Sequence, residues 1–126
     1  MIISKINEVE INGEVYVKKG SETTKVPDFE GLTLCVLRTY SAGVWIGWVD
    51  YESGEFGNVT VIKGVRVYKW SGAFTLSELA VVGTTDPKNC KFSTEVPELK
   101  LNKVIEYLPI CSSAVASLNK VAGVSI

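Results

Sequence analysis

Between Glu8 and Val17 the apolar residues Val9, Ile11, Val15 and Val17 alternate with other side chains around Asn12-Gly13, a dipeptide that tolerates positive φ at both central positions of a type I′ turn. A β-hairpin follows from that arrangement. The same grammar continues downstream. Thr33-Leu34-Cys35-Val36-Leu37 is a continuous run leading into Arg38, short enough for a strand buried on both faces, with a polar end emerging at Arg38 to Ser41. Ser41-Ala42-Gly43 reverses the chain into an antiparallel partner over Val44 to Val49, and the tip brings Tyr40 near Trp45. A second turn over residues 52–57 leads to Asn58 through Trp70, where Val59/Val61 and Val65/Val67 alternate with polar and aromatic residues. Gly64 interrupts this run and marks a bulge or a bend between two strands.

Helical signals are fewer. Residues 19–31, polar around Val26-Pro27, read as a loop. Thr75-Leu76-Ser77-Glu78 has capping-box spacing, followed by Leu79, Ala80 and Val82, a stop at Gly83, and Asp86-Pro87 beyond it. Lys91 to Thr94 and Leu99 to Leu108 read as further extended segments, the second cut by Pro109. Ser112 or Ser113 is placed to cap a last helix carrying Val115, Leu118 and Val121. The fold class is therefore α+β, an antiparallel β-sheet meander with two short α-helices, in a single domain spanning 1–126.

Composition removes several function classes. A 126-residue chain buries about two thirds of its unfolded surface, and 46% hydrophobic with 21% charged residues is ordinary for a globular protein. The net charge of −1 gives no long-range pull on polyanions, so duplex DNA, RNA and anionic membranes are poor partners, although a local pocket for one small anion is compatible. Apolar stretches fall far short of the ~20 residues of a membrane span. Met1-Ile2-Ile3-Ser4-Lys5 lacks a charged n-region followed by a long apolar core, so no signal peptide is expected, and the expected location is cytoplasmic. Cys35, Cys90 and Cys111, odd in number and far apart, fit reduced core thiols. The absence of histidine eliminates His-based general bases and the favoured zinc ligand. Acids such as Asp50, Glu52 and Glu55 sit in turn-like segments, where solvated loop charge is the ordinary explanation. The reading is a non-enzyme with no cofactor and no metal.

Only two arginines occur, and each stands two residues before a tyrosine: Arg38-Thr39-Tyr40 and Arg66-Val67-Tyr68, the second running on to Trp70. In extended backbone, alternate residues share a face, so each segment sets a guanidinium beside aromatic rings. Guanidinium pairs with phosphate through two hydrogen bonds and stacks on rings, which lysine does not. The competing explanations are packing, with arginine stems covering aromatics, and a dimer interface.

The string Cys35-Val36-Leu37-Arg38-Thr39-Tyr40-Ser41-Ala42-Gly43-Val44-Trp45, followed by Val65 to Ala73, Leu76-Ser77-Glu78-Leu79-Ala80 and Cys90-Lys91-Phe92, resembles the first-described family of phage Thoeris anti-defence proteins. The resemblance covers roughly residues 32–111. It implies a non-enzymatic sponge that binds glycocyclic ADP-ribose made by a bacterial TIR enzyme and withholds it from the effector. It also implies homo-oligomers, dimers assembling into hexamers, and in some members cyclic di- or trinucleotides at separate sites. Carried over by motif, Arg38 faces phosphate and Phe92 stacks on adenine, with Arg66 and Asn102 completing the set. A C-terminal arginine expected of the family is missing from the tail Val121 to Ile126, where Asn119 or Lys120 is the available substitute. Tyr40, Tyr68, Trp70 and Ser71 supply further stacking and hydroxyl-binding groups. Arg38→Ala and Phe92→Ala are then expected to weaken capture and leave the fold intact. The alternatives are a phage protein that inhibits a host protein through its exposed aromatic surface, and a structural protein of the phage particle.

Overall fold

In a computed structural model, residues 8–11, 14–17, 24–50, 57–121, 124 and 126 are described, the first two segments as backbone. Strands β1 (Glu8–Ile11) and β2 (Glu14–Val17) pair antiparallel with Ile11 opposite Glu14, as the hairpin pattern requires. The Asn12-Gly13 turn itself, the loop over residues 19–23 and most of the turn over residues 52–57 lie outside the described residues.

The main sheet grows from the apolar run. β3 (Thr33–Thr39) is buried at every position except Arg38. It pairs with β4 (Val44–Val49), which pairs with β5 (Val59–Lys69), an antiparallel meander. Beyond β5 lie β6 (Lys91–Phe92) and β7 (Val96–Leu101), while β8 (Val104–Pro109) pairs with the other side of β3. β7 and β8 are consecutive in the chain yet join opposite sides of the meander. The sheet must therefore curl, as right-handed strand twist permits. The single extended segment expected over Leu99 to Leu108 is instead broken at Asn102-Lys103, where Lys103 has φ 57°. The break shifts the inward positions: Leu99 and Leu101 point to one cluster from odd positions and Val104 joins it from an even one.

Each face of the meander has its own apolar cluster. Leu34, Val36, Ile46, Val65 and Val67 pack against Leu79, Ala114, Leu118 and Phe92 on the helix side. Cys35, Leu37, Val49, Val59 and Val61 pack with Leu101 and Val104 inside the curl. Val61 and Val65 have the same parity but serve opposite faces, because β5 carries an extra residue between Ile62 and Val65 where β4 steps from Trp48 to Ile46. The bulge falls at Lys63-Gly64, where Gly64 marks it. One strand thus changes sides midway.

Helix α1 (Leu76–Val81) has the expected start: Thr75 Oγ1 accepts from Glu78 N at 3.1 Å, and Glu78 Oε2 accepts from Phe74 N at 2.7 Å. The reach-back lands one residue before the cap. Helix α2 (Ser112–Leu118) corrects the proposed serine cap. Its cap is Cys111, whose side chain makes no capping hydrogen bond, and Ser113 Oγ donates to Val81 O at 2.5 Å. Packing explains this use, because Leu79 and Leu118 are fully buried between helices and sheet, worth about 1.5–3 kcal/mol each, and Ser113 ties the helices at that seam. No helix of the described residues is long and apolar enough to cross a membrane.

Candidate functional site

The two arginines occupy different settings. Arg38 follows Leu34 and Val36 in the alternation of β3, on the helix-side face, and its Nε donates to Glu106 Oε1 at 3.0 Å. Arg66 is opposite Trp45 in the register, on the face of the curl. Its guanidinium carbon lies 5.9 Å from the Trp45 ring centroid, a cation–π contact. Gly43 in the β3–β4 tip makes room for it: at φ 90° a Cβ would meet Arg66 Nη2 at 2.8 Å. The predicted pair of matching guanidinium faces is therefore split, with one arginine balanced by a carboxylate and the other covering an indole.

Phe92 is also placed away from the expected role. It is 7% exposed and belongs to the helix-side core beside Leu79 and Val67, so it offers a purine no open face to stack on. Tyr68 and Trp70, at the end of β5, are 62% and 37% exposed. Ser71 is held in a closed network. Its Oγ donates to Asp86 Oδ2 at 2.9 Å, its carbonyl accepts from Thr84 Oγ1, and its N–H donates to Cys90 Sγ at 3.3 Å. Asn89 donates from Nδ2 to both oxygens of Asp86. These bonds from Asn89 and Ser71 hold the Asp86 carboxyl below its ordinary range. All three cysteines are buried thiols outside any disulfide, and burial pushes the Cys35 thiol up to about 12.

Another open part of the predicted set lies at the β3–β4 tip, beside a groove. Tyr40, 74% exposed, donates from its backbone N to Lys103 O at 2.9 Å. Lys103 Nζ lies 5.7 Å from the Tyr40 ring centroid. Asn102 sits in the same turn, exposed, not in a strand as expected. Tyr40, Lys103, Val104 and Ile105 line a groove of about 400 Å³, at the low end of the range for small-molecule sites. Arg38 and Glu106, paired in the register, flank it one strand position away. Of the eight predicted residues only Tyr40 lines it; Asn102 precedes Lys103 in the same turn and Arg38 lies two residues before Tyr40, whereas Arg66, Tyr68, Trp70, Ser71 and Phe92 lie elsewhere.

Lys103 and Ile105, 53% exposed, were missed by sequence reading. The available signal was the parity slip between Leu101 and Val104, which places a turn at Asn102-Lys103. A second groove of about 320 Å³ is lined by Gly72, Ala73, Phe74, Glu78 and Thr85, but its charged residue is an acid already bonded to Phe74 N. That site does not suit an anion. Among the described residues no cluster of three or more His, Cys, Asp or Glu side chains is arranged to hold a metal ion.

Residues 32–118 match a domain of unknown function, DUF6948, and the chain belongs to that family. The match begins one residue before β3 and ends with α2, so it takes in both the groove and the Ser71 network. No curated protein and no solved structure matches the chain.

Proposed function

We propose that this member of the DUF6948 family is a non-enzymatic binder that sequesters a small signalling nucleotide, with glycocyclic ADP-ribose as its first ligand and cyclic di- or trinucleotides as further ones, in the cytoplasm of a phage-infected bacterium. The observation that carries the reading is the groove at the Arg38 to Gly43 block, where an exposed ring and an ammonium stand together at an open surface. That block is also the core of the resemblance to Thoeris anti-defence proteins. A cyclic ADP-ribose derivative presents a pyrophosphate, ribose hydroxyls and one purine. Tyr40 supplies a stacking face, Lys103 supplies positive charge, Arg38 stands nearby as a guanidinium already paired with Glu106, and Asn102 supplies amide donors and acceptors. Stacking on an aromatic is worth about 1–3 kcal/mol by analogy with single-strand binders, and a hydrogen bond to a charged group about 1.5–3 kcal/mol. A sponge that outcompetes a sensor needs nanomolar affinity, about 12 kcal/mol, so contacts from a second subunit are part of the proposal. The exposed Tyr68 and Trp70 suit a homo-oligomer contact.

Isothermal titration with glycocyclic ADP-ribose, and with a cyclic trinucleotide in parallel, tests the reading. Saturable nanomolar binding, with intact ligand recovered by chromatography after heating, is the predicted result. Recovery of a cleaved product contradicts it. The second reading, inhibition of a host protein, is favoured by Phe74, 96% exposed beside the second groove. Absence of heat with both nucleotides moves the search there.

A further inference from the structure

We infer that Lys103 and Tyr40 act as one recognition unit, Tyr40 stacking the base and Lys103 taking a phosphate of the same nucleotide, while Arg38 contributes from the rim; the inference rests on the nucleotide-binding reading above. Lys103 adopts φ 57°, in the left-handed region that favours glycine. Glu30 and Lys63 share that backbone conformation, and at all three residues a turn or bulge accounts for it. Glu30 lies in a two-residue reversal whose flanking residues, Phe29 and Leu32, exchange both backbone hydrogen bonds, and Lys63 lies in the β5 bulge. At Lys103 the turn would be served equally well by glycine. Lys103 lines the groove, where its side chain adds something the backbone does not need.

Its surroundings indicate what. Lys103 O accepts from Tyr40 N, Lys103 N donates to Asn58 Oδ1 at 3.4 Å, and Val104 N donates to Gly57 O at 2.9 Å. Two other chain segments, at Tyr40 and at Gly57-Asn58, thus fix the residue at the groove. Arg38 and Lys25 have carboxylate partners, Glu106 and Asp28, within salt-bridge distance. Lys103 has the Tyr40 ring instead, and among the described residues no carboxylate pairs with it. Cation–π attraction at an exposed site is weak, so a base arriving on the ring displaces the ammonium onto the phosphate that the base brings. Ile105 gives the groove an apolar wall against which the sugar and base lie.

The test titrates glycocyclic ADP-ribose into the full chain and into Lys103→Gly, Tyr40→Phe and Tyr40→Leu, with thermal melts of each. Lys103→Gly should melt at the same temperature or higher, since glycine adopts this φ freely, and should bind about tenfold more weakly or worse. Tyr40→Phe should bind like the parent, and Tyr40→Leu about tenfold more weakly or worse. Parent-like affinity in both Lys103→Gly and Tyr40→Leu, while the parent binds, overturns the inference and leaves sequestration standing. A lower melting temperature in Lys103→Gly makes the lysine structural and also overturns it. No binding by the parent chain overturns the sequestration reading itself.

Discussion

Around Ser71 the polar groups face one another: Ser71, Thr84, Asp86, Asn89 and Cys90 close a network that joins the loop after β5 to the segment after α1. Around Tyr40 the polar groups face outward, with a half-free lysine, an exposed ring and a groove between them. The sequence offers both regions as ligand-binding candidates on residue type alone. Hydroxyls, carboxylates and aromatics satisfied by their neighbours stabilise a fold, and the same types left open to solvent are available to a ligand. Substitutions in the closed region should therefore cost stability, and those in the open region should cost binding.

The largest contrast is expected at Phe92. Its 7% exposure makes Phe92→Ala a core truncation costing about 3–5 kcal/mol, measurable by urea denaturation. This replaces the sequence-based expectation of weakened capture with an intact fold. A parent-like denaturation midpoint would remove Phe92 from the core. Gly72→Ala comes next. Gly72 has φ 79° and a Cβ there would meet Asp86 N at 2.5 Å and Thr84 Oγ1 at 2.6 Å, so backbone strain alone costs about 1–3 kcal/mol. A melt should show the loss, and an unchanged melt would mean the closed loop is not held as described.

Arg38→Ala should change stability by less than about 1 kcal/mol, because the Arg38–Glu106 pair is solvent-exposed. Denaturation shows this directly, and a larger loss would put Arg38 among the closed, structural groups. The smallest expected effects are those of pH. The Asp86 carboxyl is lowered by Asn89 and Ser71, so its contribution is present above the ordinary carboxylate range and is lost as pH falls through the lowered value. Cys35 has the opposite sign: burial raises it from 9.0 to about 12, so its contribution is present below pH 9.0 and is lost as pH rises toward 12. Melting temperature across acid and alkaline series checks both, and Asp86→Asn should flatten the acid limb. An acid limb unchanged by that substitution would assign the loss to other carboxylates.

Local chemistry made much of the fold legible. The alternation around Asn12-Gly13, the continuous run ending at Arg38, the glycine within β5 and the Thr75–Glu78 spacing each correspond to an observed element. Less legible were features set by distant partners. Cys111 rather than serine caps α2 because Ser113 is used across the helix seam, and nothing near Ser113 in sequence names Val81. The β7–β8 break was legible in principle through the parity slip at Leu101 and Val104, but two lysines and an asparagine around it look like ordinary strand edge. The candidate site was half legible. Arg38 and Tyr40 are neighbours in sequence, whereas Lys103 reaches Tyr40 only because the sheet curls and sets β8 beside β3.

Amide hydrogen exchange with and without glycocyclic ADP-ribose tests the contrast between the two regions most directly. The account predicts that ligand protects the amides of Tyr40 to Gly43 and of Asn102 to Ile105, while exchange over Ser71 to Phe92 stays as it was. Protection concentrated at Ser71 to Phe92, or none anywhere at saturating ligand, would contradict it.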